Sequence, residues 1–211
     1  YSRASVPWSP PAPRRGSTAQ MPYCTGSSDC GPFVPDLAGS YIGELFVRDE
    51  FGQSATISAV QVAEPTPALW VELSWTLEAD DLDLHLLAPG GEPNTETDCY
   101  WATCQWSTPD WGEPGVAEDD PAMDLDDIEG TGPEVVEIPL PAAGVYTVFV
   151  HDFTGSNPEV EDADPEEPNE ATVRVYADGQ LAFTRTVEIE GEGAQEYVCE
   201  ATWPDGTVEP Y

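Results

Sequence analysis

Asp81, Asp83 and His85 alternate with Leu82, Leu84 and Leu86. Along a strand, side chains two apart share a face and lie within about 7 Å of each other. One face of this segment is therefore apolar, and the other presents two carboxylates and an imidazole in a row. A second set of acids, Asp119, Asp120, Asp124, Asp126 and Asp127, follows on a turn-rich stretch. Carboxylates forced together must take up protons, spread apart or share a cation. Six to eight hard oxygens around one point suit Ca2+. The expectation is a Ca2+ site in which Asp81 and Asp83, some of Asp119, Asp120, Asp124, Asp126 and Asp127, and loop carbonyls pin the 88–133 loop to a sheet edge. The competing reading is that acids in a loop are simply solvated, since so acidic a chain makes such pairs by chance. An EF-hand is excluded by spacing: Asp124 and Asp126 fit its start, but Gly130 comes one residue late and Glu134 one residue early. Zn2+ is disfavoured, because only His85 and His151 offer nitrogen among oxygen donors. Both histidines are expected to be half-buried hydrogen-bonding residues on adjacent strands.

Other chemistries lack their residues. The chain shows no G-x-S-x-G elbow, H-E-x-x-H pair, P-loop or dinucleotide glycine pattern, and it has two His and no Lys. A carboxylate pair fit for glycoside hydrolysis carries no weight here, since any fold of so acidic a chain yields one. The expectation is no catalysis. With 41 Asp plus Glu against 6 Lys plus Arg and a net charge of -35, a phosphate-bound nucleic acid and an anionic membrane surface are both unsuitable partners. No apolar run is long enough to span a bilayer. A content of 40% hydrophobic residues still provides for real cores. The start at Tyr1, with neither Met nor a signal peptide, suggests a processed chain or a piece of a longer one.

The elements that must hold these residues read as strands. Proline and glycine, 22 and 18 residues, cut the chain into short pieces, and helical periodicity is scarce. Alternating or β-branched runs occupy 41–47, 56–62, 71–77, 82–87, 134–138, 145–153, 172–176, 181–189 and 196–203. Asp178-Gly179 and Asp205-Gly206 are hairpin signals. The fold class is all-β, with two tandem β-sandwich domains. Acid is unevenly spread: residues 1–63 are nearly neutral, and almost all the excess lies beyond them. The Pro-containing run Ala63-Glu64-Pro65-Thr66-Pro67-Ala68 marks the join. The division is 1–63, a linker at 64–69, and 70–211.

Asp36-Leu37-Ala38-Gly39-Ser40-Tyr41, followed by a strand, a turn at Gly52 and a second strand, resembles the end of PKD-like and Ig-like domains. That resemblance implies that the Tyr41 hydroxyl bonds back to the backbone at a sheet corner. Tyr1 and residues 13–19 resemble the middle of such a domain, which would then lack its first strands. The missing strands would have been clipped off or would come from another chain. In the second segment the ordered motifs are L-x-W at Leu73–Trp75, D-L-D-L-H-L at Asp81–Leu86, then Asp98-Cys99-Tyr100, Trp111-Gly112, Asp119-Asp120-Pro121, Asp124 to Asp127, Gly132-Pro133-Glu134 and Gly144-Val145-Tyr146. Together they resemble the YfaP-like domain of large bacterial surface proteins, with a C2- or jelly-roll-like sandwich expected over about 70–210. The resemblance implies architecture more than activity.

Two close cysteine pairs, Cys24 with Cys30 and Cys99 with Cys104, read as small-loop disulfides of an oxidising, extracellular compartment. Cys199 is left over, as a buried thiol or the partner of a cysteine elsewhere. Trp101, Trp106 and Trp111 crowd one loop and could form a glycan platform, although a loop of that length also needs large rings for its own core. Residues 158–170 read as a solvated acidic insertion. The functional expectation is a non-catalytic, Ca2+-stabilised structural or adhesive module of a bacterial surface protein. Its partners would be other domains or neighbouring subunits. The alternatives are a carbohydrate-binding accessory module and a fibre subunit assembled by strand donation.

Overall fold

The computed structural model describes residues 33–48, 51–78, 80–107, 109–128, 130–153 and 168–211, and the chain divides into two compact units, Tyr1–Glu64 and Pro65–Tyr211. In the first unit, β1 (Gly39–Arg48) and β2 (Ser54–Ala63) form an antiparallel hairpin in continuous register from Gly39↔Ala63 to Arg48↔Ser54. The Tyr41 hydroxyl lies 3.0 Å from the Leu37 amide, which donates to it, and 2.9 Å from the Leu37 carbonyl. This is the backbone-directed bond expected of that tyrosine. The Phe33 ring packs edge-on against the Tyr41 ring at 5.1 Å.

The second unit is two five-stranded antiparallel sheets. One has the order β10 (Gln180–Ile189), β9 (Asn169–Ala177), β3 (Leu69–Ser74), β7 (Glu134–Ile138), β6 (Ala122–Leu125). The other runs β12 (Thr207–Pro210), β11 (Gln195–Trp203), β8 (Gly144–Asp152), β4 (Leu82–Leu87), β5 (Asp98–Cys99). The all-β, sandwich-like class is therefore observed. Its core takes the inward alternates of both sheets, with Val71, Leu73, Val136, Ile138, Val173 and Val175 facing Leu82, Leu84, Leu86, Val148, Val150 and Val198. Each such side chain, removed wholly from water, contributes about 1.5–3 kcal/mol.

All nine segments read as strands contain a strand, the third ending at Ser74 rather than at Leu77. The structure adds the short β5, β6 and β12 and one π-helical turn, Trp101–Gln105. It also shortens the expected linker. The Ala68 amide donates to the Pro139 carbonyl and Leu69 pairs with Ile138, so both residues belong to the second unit.

Candidate metal centre

On β4 Leu82, Leu84 and Leu86 point into the core, while Asp83 and His85 lie on the opposite face. That face is not open to water: Asp83 is 3% exposed and His85 1%. The cover is the segment after β5, where the Cys99–Cys104 disulfide and the π-helical turn hold Tyr100 and Trp101 against the sheet. The Tyr100 ring stacks on His85 at 4.5 Å, and the Trp101 indole nitrogen donates to Asp83 Oδ2 at 3.2 Å.

Asp81 is placed by the turn that precedes β4. Asn169, fully buried at the start of β9, accepts through Oδ1 from the Thr76 and Leu77 amides and donates through Nδ2 to Asp80 Oδ2. The Trp75 indole donates to the Asp80 carbonyl. One side chain thus ties both ends of this turn.

Glu134 completes the cluster from the other sheet. β5 pairs with β4 only at Leu86 and Leu87, so the Leu84 amide faces an open stretch of sheet edge. Glu134 Oε2 accepts that amide, whereas its Oε1 is buried without a hydrogen-bond partner. Carboxylate oxygens of Asp81, Asp83 and Glu134 lie within 4.8 Å of one another. Glu134 can approach because Gly132 has a φ of +85°, and a β-carbon there would meet the Leu73 carbonyl oxygen at 3.0 Å and the Trp75 ring at 3.0 Å.

The electrostatics follow from burial and like charge. Desolvation, followed by the charges of Asp126, Asp127 and Asp152, pushes Asp81 up to about 6. Desolvation, then Asp81 and Asp126, pushes Asp83 up to about 8. Glu134 is held well above the usual carboxylate range, first by burial and then by Asp83. These groups resist ionising together, and a bound cation would reverse that preference.

The expected ligand set therefore divides. Asp81 and Asp83 converge, and Asp126 and Asp127 are close enough for their charges to act on Asp81. Asp119 and Asp120 do not join them: Asp119 Oδ2 accepts the Glu113 amide and Asp120 Oδ1 the Trp111 amide, so both organise their own loop. Asp124 is exposed on β6, where its charge, after desolvation, helps to raise Glu137 on the neighbouring strand to about 7. The member of the cluster missing from the expected set is Glu134, an acid at an inward position in a strand whose other inward residues are Val136 and Ile138.

The three tryptophans do not form a shared platform. Trp111 is in the core, its ring facing Tyr146 and its indole donating to the Glu96 carbonyl. Trp101 faces Asp83, and only Trp106 of the three is exposed, at 81%. Cys199 is a buried free thiol, pushed up to about 12 by burial. The expected Cys24–Cys30 pair lies outside the described residues, as does most of 158–170.

No family model matches the chain, and no solved structure matches it. What fold and site define is an all-β unit of two antiparallel sheets carrying a mostly buried three-carboxylate cluster where β4 meets β7.

Proposed function

We propose that this chain is a non-catalytic, extracellular structural or adhesive module of a bacterial surface protein or surface assembly, whose second unit is stabilised by Ca2+. The observation that carries the cation is Glu134 Oε1, a buried oxygen without a protein partner beside the carboxylates of Asp81 and Asp83. An unpaired buried acceptor is costly, and a hard divalent ion offsets that cost. Asp81, Asp83 and Glu134 are the ligands in this reading, with Asp126 and Asp127 at the rim. The ion would cross-link β4 of one sheet to β7 of the other. The Cys99–Cys104 disulfide is compatible with an oxidising compartment, and no helix among the described residues is long and apolar enough to cross a membrane. The glycan reading is left with one exposed ring, Trp106.

Calorimetry on the EDTA-stripped chain tests this. Ca2+ is expected to bind with release of protons and to raise the melting temperature. Glu134→Gln should keep the fold and lose at least about tenfold in Ca2+ affinity, a loss of about 1.4 kcal/mol. Absence of both heat and a melting shift at millimolar Ca2+ would falsify the reading.

A further inference from the structure

We propose that Asp83, His85 and His151 form a second, nitrogen-bearing site for a first-row divalent ion of the Zn2+ type. It lies on the outer face of the β4–β8 pair and shares Asp83 with the oxygen cluster. A ring nitrogen of each histidine and one Asp83 oxygen all lie within 4.8 Å of one another. The sheet makes this set. Asp83 and His151 are direct cross-strand partners, and His85 is two residues further along β4 on the same face.

His85 supplies the observation that points to a ligand. Its Nδ1 is 2.8 Å from Asp98 Oδ2, and Asp98 is itself fully buried and accepts the Asn94 amide. With the ring neutral, that contact puts its proton on Nδ1 and leaves Nε2 as a lone pair. Nε2 is buried and has no hydrogen-bond partner. The ring cannot swing to find one, being stacked between Tyr100 at 4.5 Å and Phe149 at 4.2 Å. A buried carboxylate behind a histidine, with the far nitrogen free, is how metal-ligating imidazoles are oriented. Asp83 is oriented as well, with Trp101 Nε1 on Oδ2 and His151 Nδ1 3.4 Å from the same oxygen.

The bland alternative is two histidine–carboxylate pairs, His85 with Asp98 and His151 with Asp83. It accounts for both Nδ1 atoms and leaves His85 Nε2 unexplained. Two imidazoles with one carboxylate suit Zn2+ and its neighbours rather than Ca2+. Three protein ligands leave a coordination position for water, on the side of His151, whose side chain is 21% exposed. The sequence disfavoured Zn2+ for want of nitrogen donors, but two suffice once the strands place them together.

Co2+ is the spectroscopic stand-in. Titrating it into the EDTA-stripped full chain should produce ligand-field bands in the visible, which Zn2+ then abolishes. His85 is packed inside a ring stack, so the variant used is His151→Ala, with its melting temperature as the folding check. It should weaken Co2+ binding by about tenfold or more while keeping the Ca2+ heat. Glu134→Gln should do the reverse. The proposal is overturned if Co2+ gives no bands, if folded His151→Ala binds Co2+ as tightly as the parent chain, or if Glu134→Gln removes Co2+ and Ca2+ together. Absence of a Ca2+ heat in the parent chain, with the Co2+ bands present, sinks the calcium reading and leaves this one standing.

Discussion

Glu134 has one oxygen on the Leu84 amide and the other without a hydrogen-bond partner, and it clusters with Asp81 and Asp83. The three carboxylates make cation-free stability depend on pH with a definite sign. Asp81 and Asp83 rise from 3.8 in a free chain to about 6 and about 8 in the fold. The folded chain therefore keeps protons that the unfolded chain has released. That contribution is complete below about pH 4 and is lost as pH climbs through 6 and then 8. EDTA-treated protein should melt at a higher temperature near pH 5 than near pH 8.5, and millimolar Ca2+ should shrink the gap. Asp83→Asn should flatten the EDTA profile; a profile as steep as the parent's would assign the dependence to other groups. The pairing of Asp81 with Asp83 was legible, because a period of two needs only the strand. Glu134 was visible as an acid in an inward position but was weighed only as the tail of an EF-hand. Asp98 could not be seen as the partner of His85, since no local pattern links the end of β4 to β5.

At the scale of elements, long strands were readable and short ones were not. β1 to β4 and β7 to β11 carry enough alternation to declare themselves. β5, with two residues, and β12, with four, are too brief for any period to show. β6 hides for a second reason: a register irregularity between Met123 and Leu125 breaks its alternation against β7. The 88–133 stretch packs through Cys99, Cys104, Trp111 and Met123, among them the large ring and the disulfide that a loop of its length needs for a core. Gly132 links this stretch to β7. Gly132→Ala would force a side chain into the left-handed region and against the Leu73 carbonyl. A cost of about 1–3 kcal/mol corresponds to a melting point lower by about 2–12 °C. Because Glu134 is displaced with the turn, Ca2+ affinity should fall as well. An alanine variant that melts and binds like the parent would show that the turn yields freely.

At the scale of the molecule, a net charge of -35 sets a background of self-repulsion. Raising NaCl from about 0.01 M to about 1 M shortens the screening length from about 30 Å to about 3 Å, so the melting temperature should climb with salt. The increment produced by Ca2+ should survive at 1 M NaCl, because an ion bound directly by Asp81, Asp83 and Glu134 is not replaced by a diffuse cloud. An increment that vanished in high salt would reduce Ca2+ to one screening ion among others. The division between Glu64 and Pro65 falls inside the linker read at 64–69, and charge made that join visible: the acid excess lies in the second unit. That excess did not reveal how few acids converge. Proximity of Asp81 to Glu134 is set by sheet stacking, which a single chain of letters does not display.

The hydrogen bond from Trp101 to Asp83 has an optical consequence. An indole whose N–H rests on a carboxylate emits in the field of that carboxylate, so its spectrum depends on whether the oxygen is protonated, ionised or metal-bound. Asp83 belongs to both the oxygen cluster and the histidine set. The chain therefore carries an indole at the junction of the two, and a change in Trp101 emission on adding Ca2+ or Zn2+ is the expected sign of an ion at Asp83.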